Sequence, residues 1–404
     1  MGRAAAVTAR EDVDIFISGG GPAGLIAAAL LAPHAGRVLV ADPGPRPGEA
    51  GRGDLRSTAL LRPARELFRA IGLWDGIAER ATPLAGLRVV DLAGDPPAPR
   101  TERLFKGEDG GPLGWNVMND ALTGALLAHL AARGTVEFAW GDGFAGTVNR
   151  SAEVLVDLAS GRRIRARLAV AADGRASPLR EAAGIEVTTL RYGQKAFAFV
   201  VTHERPHQGI STESYLRGGA FTTVPLPDTL GRPTSAVVWM NPGAKALALA
   251  ALDDTSFSEA ATRRSGGLLG KLRLETGRAL WPVITQRARH LTAGRVALAA
   301  EAAHVLPPIG AQGLNTSIND IAALAEAIQA LPGDPGAPAV LARYEAARSR
   351  DIAARARVID LFNRVTRAPD ALSQALRQFG LVAVHDIAPL REGVMRAGMG
   401  PPRR

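Results

Sequence analysis

The fold class follows from residues 13–24, which read VDIFISGGGPAG. The first six are mostly apolar and β-branched, as in a buried parallel strand, and an Ala- and Leu-rich segment predicts a helix directly after them. Gly19 permits a tight turn, Gly21 lets the backbone approach a pyrophosphate, and Gly24 lets helix and strand pack closely. Because the start of a helix favours negative charge, the segment predicts a dinucleotide site whose phosphates contact Gly19, Gly21, Pro22, Ala23 and Gly24.

A second predicted strand, residues 37–41, ends at Asp42. A carboxylate at the end of that strand can accept hydrogen bonds from the hydroxyls of an adenosine ribose. This context makes an unrelated Gly-rich turn a weak alternative. The motif alone does not choose between FAD and NAD.

Composition limits the classes of protein to consider. The chain has 404 residues, 47% hydrophobic and 22% charged, which is ordinary for a globular protein of two domains or of one domain with an inserted layer. It has no cysteine, so disulfides and thiolate chemistry are excluded, and its seven histidines show no metal-binding spacing, so no metal is expected. No spanning apolar run and no signal peptide stand out, which predicts a cytoplasmic protein.

The net charge of +9 is unevenly distributed. Residues 341–404 contain 12 Arg against 6 Asp and Glu, a net +6. A solvated basic face on C-terminal helices is the simplest interpretation, and peripheral contact with an anionic membrane or a partner protein is the alternative. Nucleic acid is not expected as a partner, because no pattern of aromatic and basic residues accompanies the charge.

Strand and helix patterns predict an α/β fold in which a cofactor domain is interrupted by a second layer. Residues 154–158 and 164–168 predict a β-hairpin, 196–240 an antiparallel sheet, and 314–331 and 342–365 helices. The predicted cofactor domain comprises residues 1–85, 111–182 and 282–340. The remaining parts are an excursion toward the substrate layer at 86–110, the substrate β-sheet at 183–281 and a C-terminal helical region at 341–404.

Three distant segments together carry a family resemblance: Gly19-x-Gly21-x-x-Gly24, Asp173-Gly174 and Gln312-Gly313-Leu314-Asn315. The chain resembles the group A flavoprotein monooxygenases, relatives of para-hydroxybenzoate hydroxylase. Within that group it is most similar to the FAD-dependent hydroxylases of ubiquinone biosynthesis. The resemblance implies a Rossmann-like FAD-binding domain of the GR2 type with an inserted antiparallel sheet.

The resemblance also implies which residues bind FAD. Arg56 would pair with the cofactor near its phosphates. Backbone N–H groups at the start of the helix near Leu314 would stabilise negative charge on the reduced ring. The further FAD contacts that it implies are Asp173, Gly174, Glu301, Pro308, Gly313, Leu314 and Asn315.

The chain departs from the family pattern at three positions in or beside these contacts. Ala300 and Glu301 stand where Gly-Asp is usual, and Ala311 stands where the family has Gly. We expect Glu301 still to hydrogen-bond FAD, with a slightly shifted backbone. Ala311 would be strained if its position requires a positive φ.

The reaction that the resemblance implies uses NADH or NADPH as a transient co-substrate. Reduced FAD and O₂ give a flavin C4a-hydroperoxide, whose terminal oxygen is transferred to the ring of a polyprenyl-phenol ubiquinone precursor. His207 and Glu213, in the inserted sheet, are weak catalytic candidates for orienting the phenol or moving its proton. Other ubiquinone-pathway proteins are candidate partners.

Two other functions remain open. One is the same chemistry on a soluble aromatic in catabolism or secondary metabolism. The other is a non-catalytic assembly or lipid-presenting subunit, which the departures at Ala300, Glu301 and Ala311 would favour.

Overall fold

The computed structural model describes residues 10–49, 54–107, 109–216 and 218–367. The first sheet carries the N-terminal βαβ unit, with strand order β18-β19-β11-β1-β2-β8 and a hairpin, β9-β10, added to β11. Its strands are β1 (Arg10–Ser18), β2 (Val38–Asp42), β8 (Val136–Trp140), β9 (Phe144–Asn149), β10 (Val154–Leu158), β11 (Arg163–Ala171), β18 (Thr292–Ala293) and β19 (Val296–Leu298).

The second sheet has the order β20-β17-β12-β15-β14-β13-β5-β6, with β16 paired to β12. Its strands are β5 (Gly86–Ala93), β6 (Ala98–Lys106), β12 (Val187–His203), β13 (Ile210–Leu216), β14 (Gly219–Thr229), β15 (Arg232–Pro242), β16 (Leu272–Leu274), β17 (Ala279–Ala288) and β20 (His304–Val305). A small third sheet joins β3 (Ser57–Leu61), β4 (Thr82–Leu84) and β7 (Gly114–Met118).

Helices cover both sheets. They are α1 (Pro22–Leu31), α2 (Arg62–Ala70), α3 (Asp75–Ala78), α4 (Asn119–Ala131), α5 (Pro178–Ala182), α6 (Gly243–Ala250), α7 (Asp254–Arg264), α8 (Gln312–Ala330) and α9 (Pro338–Arg367). Short 3-10 turns occupy Ala32–His34 and Ala300–Ala302.

The core of the first sheet explains why its strands are parallel and apolar. Ile15, Phe16 and Ile17 on β1 are fully buried, because the sheet is covered on both faces. β1 pairs in parallel with β2 and β11, and β11 pairs in parallel with β19. Parallel strands end at the same edge, so the loops after β1, β2, β11 and β19 meet there.

The second sheet has two distinct faces. One face buries Phe197, Phe221 and Trp239 beneath α6 and α7. The opposite face carries an apolar cluster that includes Met240 and also Ile309, which lies in the loop just before α8. That face therefore looks toward the cofactor domain.

The predicted fold class is confirmed, and most predicted elements lie where expected. The helix predicted at 314–331 is α8, and the one predicted at 342–365 lies within α9. No strand was predicted within residues 96–110 of the expected excursion, but β6 (Ala98–Lys106) lies there, and its mostly polar residues gave no clear strand pattern.

The division into domain parts stays a prediction, and one of its boundaries disagrees with the sheet topology. The boundary expected between residues 281 and 282 falls inside β17, which belongs to the second sheet. β5 and β6 also belong to that sheet, in the region of the expected excursion. Residues 368–404, which hold part of the basic C-terminal region, lie outside the described residues.

Candidate cofactor site

The Gly-rich loop between β1 and α1 has the close contacts that its motif requires. Gly19 has φ +104°, and a Cβ on Gly24 would lie only 1.8 Å from the Gly19 carbonyl oxygen. A Cβ on Gly21 would meet nothing within 4 Å. Gly21 begins α1 without a side-chain cap, so backbone donors and open space coincide where an anion would bind.

Asp42, at the end of β2, lies beside the Gly-rich loop. Its two oxygens accept hydrogen bonds of 2.7 Å from the backbone N–H groups of Gly20 and Gly44. Each carboxylate oxygen retains capacity for another donor, such as a ribose hydroxyl. The ring of Trp140, at the end of β8, packs against Gly20. The sequence patterns did not single out Trp140, although its position at the end of a neighbouring strand was a signal.

Asp173 and Gly174 follow the end of β11. Asp173 accepts a 2.9 Å hydrogen bond from the Ser18 hydroxyl, and Gly174 has φ +85°. Burial raises the pKa of Asp173 above its ordinary value, although bonds from Ser177 and Ser18 oppose this. Its Oδ1 is buried and accepts no hydrogen bond within the described part of the chain.

Arg56 and Glu301 are distant in sequence but near enough in the fold for their charges to interact. Arg56 makes a two-pronged ion pair with Asp54, with N–O distances of 2.7–3.1 Å. That bond raises the pKa of Arg56 against the effect of burial, and the charge of Glu301 adds to the increase. The guanidinium is half exposed, so it could exchange part of this pairing for a phosphate.

The loops before α8 hold two alanines in left-handed conformation. Ala300 has φ +58° and Ala311 has φ +56°. The condition for strain at Ala311 is therefore met, and Ala300 shares it. Pro308 lies half-buried in the loop between them.

The start of α8 offers a second helix N-terminus. Ala311 precedes the helix without a side-chain cap, and a Cβ on Gly313 would meet nothing within 4 Å. Asn315 accepts from the N–H of Leu61 at 3.0 Å and donates to the carbonyl of Ala59 at 2.7 Å. Its side chain thus binds β3 to α8, which leaves backbone groups near Leu314 for a cofactor.

His304 is held inside the domain. Its Nε2 lies 2.6 Å from Oδ2 of Asp320, and both side chains are almost fully buried. The same Asp320 oxygen accepts the N–H of Ala300 at 3.1 Å. Sequence patterns missed Asp320, although a carboxylate in an apolar helix is an unusual feature that could have indicated it.

The structure separates the two catalytic candidates of the second sheet. His207 uses both ring nitrogens on backbone groups: Nδ1 accepts from Gly209 N–H at 3.0 Å, and Nε2 lies 3.1 Å from the Leu226 carbonyl. These bonds fix a turn and leave no nitrogen for a substrate. His207 therefore does not enter the catalytic proposal.

Glu213 lies on the face of the second sheet that looks toward the cofactor domain. It pairs with Val89 and Thr222 on the neighbouring strands, and Tyr215 follows on the same face. The residue is only 6% exposed. Burial raises the pKa of Glu213, although the Tyr215 hydroxyl opposes this. A buried carboxyl with a raised pKa beside a cofactor region is typical of a functional group.

Comparison with known proteins identifies the family. The model of the FAD binding domain family matches residues 12–358. The chain belongs to this family. The ubiquinone hydroxylase UbiL of Rhodospirillum rubrum is 34% identical over 397 residues, which cover 97% of this chain and 91% of that protein.

A further relative agrees with this assignment, and a solved structure shares the fold. The human mitochondrial ubiquinone biosynthesis monooxygenase COQ6 is 26% identical over 437 residues, which cover 95% of this chain and 91% of that protein. The crystal structure of p-nitrophenol 4-monooxygenase PnpA from Pseudomonas putida DLL-E4 superposes with a TM-score of 0.79 at 18% identity. That match covers 97% of this chain and all of the other, and it shows a shared fold.

The predicted family and the predicted enzyme class, an FAD-dependent monooxygenase, are confirmed. The residues present also fit the cofactor. Both helix N-termini at the site lack side-chain caps, and open space lies at Gly21, Gly174 and Gly313. The individual FAD contacts remain predictions.

Proposed function

We propose that this protein hydroxylates the aromatic ring of a polyprenyl-phenol ubiquinone precursor, with FAD as bound cofactor and NADH or NADPH and O₂ as co-substrates. The observation that carries the proposal is the 34% identity with a ubiquinone hydroxylase over 97% of the chain. The open helix N-termini at the carboxyl edge of the first sheet support it, because they suit a pyrophosphate and a flavin ring.

Each group of cofactor residues would contact a different part of FAD. The loop Gly19 to Gly24 would hold the pyrophosphate, and Asp42 the adenosine ribose. Arg56 and Glu301 would lie beside the phosphates and the ribityl chain. Backbone N–H groups at the start of α8 would face the flavin ring. When bound, FAD supplies the activation of O₂ and the transfer of one oxygen atom to the ring.

The second sheet would hold the substrate and exclude water. Its cofactor-facing cluster contains Val89, Met240 and Ile309, which suit a prenylated ring. In our proposal, Glu213 orients the phenol through a hydrogen bond between its carboxyl and the phenol hydroxyl. The surrounding apolar residues strengthen such a bond, because the local dielectric constant is low.

Quinone profiling of a deletion strain tests the function. We expect a specific under-hydroxylated prenyl-phenol to accumulate, and the intact gene to restore normal quinone. Unchanged quinones in the deletion strain would contradict the proposal and favour a soluble aromatic substrate. Purified protein that takes up no FAD would instead favour a non-catalytic subunit, which the left-handed Ala300 and Ala311 make worth testing.

Variants at Glu213 test the substrate contact. Glu213→Leu should lower product formed per NAD(P)H oxidised by about tenfold or more, because a buried hydrogen bond to the phenol is lost. Glu213→Gln, which keeps a bond, should retain more coupling. Glu204→Gln is the control, since Glu204 is an exposed carboxylate of the same layer. Equal coupling in Glu213→Leu and wild type would refute the contact.

We also propose that the C-terminal helix meets an anionic membrane, from which a prenylated substrate would be drawn. On α9, Val358 is 67% and Leu361 64% exposed, and Arg350 is exposed on the same side. No helix in the described ranges is long and apolar enough to cross a membrane. Flotation with vesicles should require anionic lipid at low salt and weaken in Val358→Ser/Leu361→Ser. Lipid-independent behaviour would refute this contact.

A further inference from the structure

A chain of buried polar contacts runs from α9 to the turn at Ala300. Asp320, on α8, is fully buried, and its Oδ2 accepts the N–H of Ala300 and contacts His304. Its Oδ1 accepts from Nε of Arg348, on α9, at 2.9 Å. The charges of His304 and Arg348 hold the pKa of Asp320 low despite the opposing effect of its burial. The left-handed turn before Glu301 is thus anchored to α9.

A second chain of contacts runs from α9 to the loop at Ala311. Nη1 of Arg348 bonds Asp351 at 2.7 Å, and Asp351 bonds Nε of Arg355 at 3.0 Å. Nη1 of Arg355 then donates to Oε1 of Gln312 at 2.7 Å. Gln312 in turn donates from Nε2 to the carbonyl of Gly310 at 2.9 Å. One helix therefore contacts the supports of both left-handed alanines.

If this network served only to pack α9 against α8, it would add little to the free energy of unfolding. A buried ion pair is often no more stabilising than apolar residues of the same volume, since both charges must leave water. What such a network does provide is one fixed geometry, because each partner accepts only a narrow range of positions. The backbone it fixes is the strained backbone around Ala300 and Ala311, which would relax if released.

α9 is also fixed at its other end. The hydroxyl of Tyr192, on β12 of the second sheet, donates to Asp360 at 2.8 Å. The helix is therefore bound to the second sheet as well as to the loops of the cofactor domain. A helix that is bound to both the second sheet and the cofactor domain can fix the position of the loops that it contacts.

We infer that α9 positions the flavin half of the cofactor site. Arg348 acts through Asp320 on the Ala300–Glu301 turn, and Arg355 acts through Gln312 on the loop before α8. Both arginines are positioning residues that need not touch FAD. The inference rests on the FAD binding that the proposed function requires, but not on the identity of the phenol.

The decisive experiment compares two arginines of the same helix. Arg355 is nearly buried and bonds Gln312, whereas Arg357, two residues on, is exposed. We expect Arg355→Gln to weaken FAD binding about tenfold or more, because a charge-assisted hydrogen bond is lost. Arg357→Gln should leave the affinity within about twofold. Affinity is read from flavin fluorescence, and visible circular dichroism reports the setting of the bound ring.

A double-mutant cycle separates positioning from general stability. Gln312→Ala should weaken FAD binding, and adding Arg355→Gln should cost little more, because both changes break the same contact. Arg355→Lys, which keeps the charge, should recover part of the affinity and of the circular dichroism. Unfolding of the FAD-free variants in urea shows how much each change destabilises the fold itself.

The outcomes distinguish this inference from the proposed function. Additive effects in the cycle, or equal affinities in Arg355→Gln and Arg357→Gln, would overturn the role of α9 and leave the function intact. Normal quinones in the deletion strain would overturn the function and leave the role of α9 intact. Wild-type protein that binds no FAD would overturn both.

Discussion

The adenosine half and the flavin half of the cofactor site use the same left-handed backbone but different residues. In the adenosine half, glycine adopts it, as at Gly19 with φ +104°. In the flavin half, Ala300 and Ala311 adopt it, with φ +58° and +56°. A left-handed alanine costs about 1–2 kcal/mol relative to its right-handed form. The flavin half therefore needs support from elsewhere in the fold, whereas the adenosine half does not.

The source of that support also differs. The adenosine half is built mainly from residues 13–42, a continuous stretch in which Asp42 bonds the loop it faces, and Trp140 of β8 packs against that loop. The flavin half depends on Asp320 and on Arg348 and Arg355 of α9. The comparison teaches that a local motif can specify one half of a site, while the other half is imposed by packing between distant helices.

The largest expected effect comes from adding a methyl group to the glycines of the adenosine half. Gly24→Ala should lower the free energy of unfolding by about 3 kcal/mol or more, because its Cβ would overlap the Gly19 carbonyl. Gly21→Ala should change it by less than about 1 kcal/mol, since a Cβ there meets open space. Urea unfolding without FAD measures both.

FAD titration of the same pair then tests the site. In Gly21→Ala the added methyl would occupy the space meant for phosphate, so affinity should fall about tenfold while the fold stays intact. Equal destabilisation by Gly21→Ala and Gly24→Ala would mean that the loop is rigid throughout, and that glycine at 21 serves folding instead of binding.

The next test compares carboxylates in the two halves. Asp42→Ala should weaken FAD binding by about tenfold to a hundredfold, because hydrogen bonds to a charged group are worth about 1.5–3 kcal/mol. Glu301→Ala should weaken it less, since Glu301 is exposed and would reach the cofactor on a longer side chain. Fluorescence titration with FAD measures both.

Asp14 provides a matched control for Asp42. It also accepts two backbone hydrogen bonds, from Gly36 and Arg37, but it lies at the opposite end of the same strand pair. Asp14 also pairs with Arg167 at 3.1 Å, so Asp14→Ala should destabilise the protein at least as much as Asp42→Ala and leave FAD affinity unchanged. If both variants lose affinity alike, Asp42 acts only through folding, and its assignment to the ribose fails.

These contrasts also explain how far the sequence could be interpreted. The strand-loop-helix unit at Gly19 and the position of Asp42 beside it follow from spacing, because these segments are close in sequence and pair directly in the sheet. The same holds for α8, whose periodicity is strong. Asp320 could have been noticed as a carboxylate in an apolar helix, but its contact with Arg348 could not be predicted, since nothing in a single sequence shows which face of α9 meets α8. The same is true of the contact between Arg355 and Gln312. The Gln312–Asn315 segment was identified through a family pattern, and the tertiary bonds of Asn315 appear only in the structure.

The second sheet shows a different limit. β6 was missed because its residues, APRTERLFK, lack clear alternation and include a proline near the start. Glu213 and His207 are equally polar in the sequence, and only the structure separates a carboxyl on the cofactor-facing side from an imidazole that fixes a turn. Which hydrogen bonds a side chain makes and which side of the sheet it occupies are properties of the assembled layers.

A smaller effect is expected from relieving the strain of the flavin half. Ala311→Gly should raise the free energy of unfolding by about 0.5–1 kcal/mol, because glycine adopts positive φ without penalty and the exposed methyl contributes no packing. Ala300→Gly should gain less, since its buried methyl leaves a small void. Urea unfolding without FAD measures both.

Ala323→Gly, inside α8, is the control for the glycine itself. It should lower stability by about 1 kcal/mol, as expected for glycine in a helix interior. If Ala311→Gly is as destabilising as this control, the left-handed alanine is not strained, and the two halves of the site differ less than their torsion angles suggest.

The smallest effect lies at Asp173, beneath the junction of the two halves. Its folded pKa is raised by burial, so its protonated form is favoured in the fold. Its contribution to stability is therefore fully present below the ordinary pKa of an Asp and is lost as pH rises through the folded pKa. Asp173→Asn removes the charge, so its stability relative to wild type should increase as pH rises from the ordinary pKa of an Asp through the raised pKa of Asp173 in the folded protein.

Asp334, at the far edge of the first sheet, should show the opposite trend. Its bond to Arg295 lowers its pKa, so its contribution is present above the ordinary pKa of an Asp and is lost as pH falls. Asp334→Asn should accordingly lose stability relative to wild type as pH rises from the folded pKa of Asp334 to the ordinary pKa of an Asp, and the difference should stay nearly constant above it. If Asp173→Asn follows Asp334→Asn instead, Asp173 is ionised in the folded protein at no cost. The carboxylate of Asp173 would then already be solvated in the FAD-free protein.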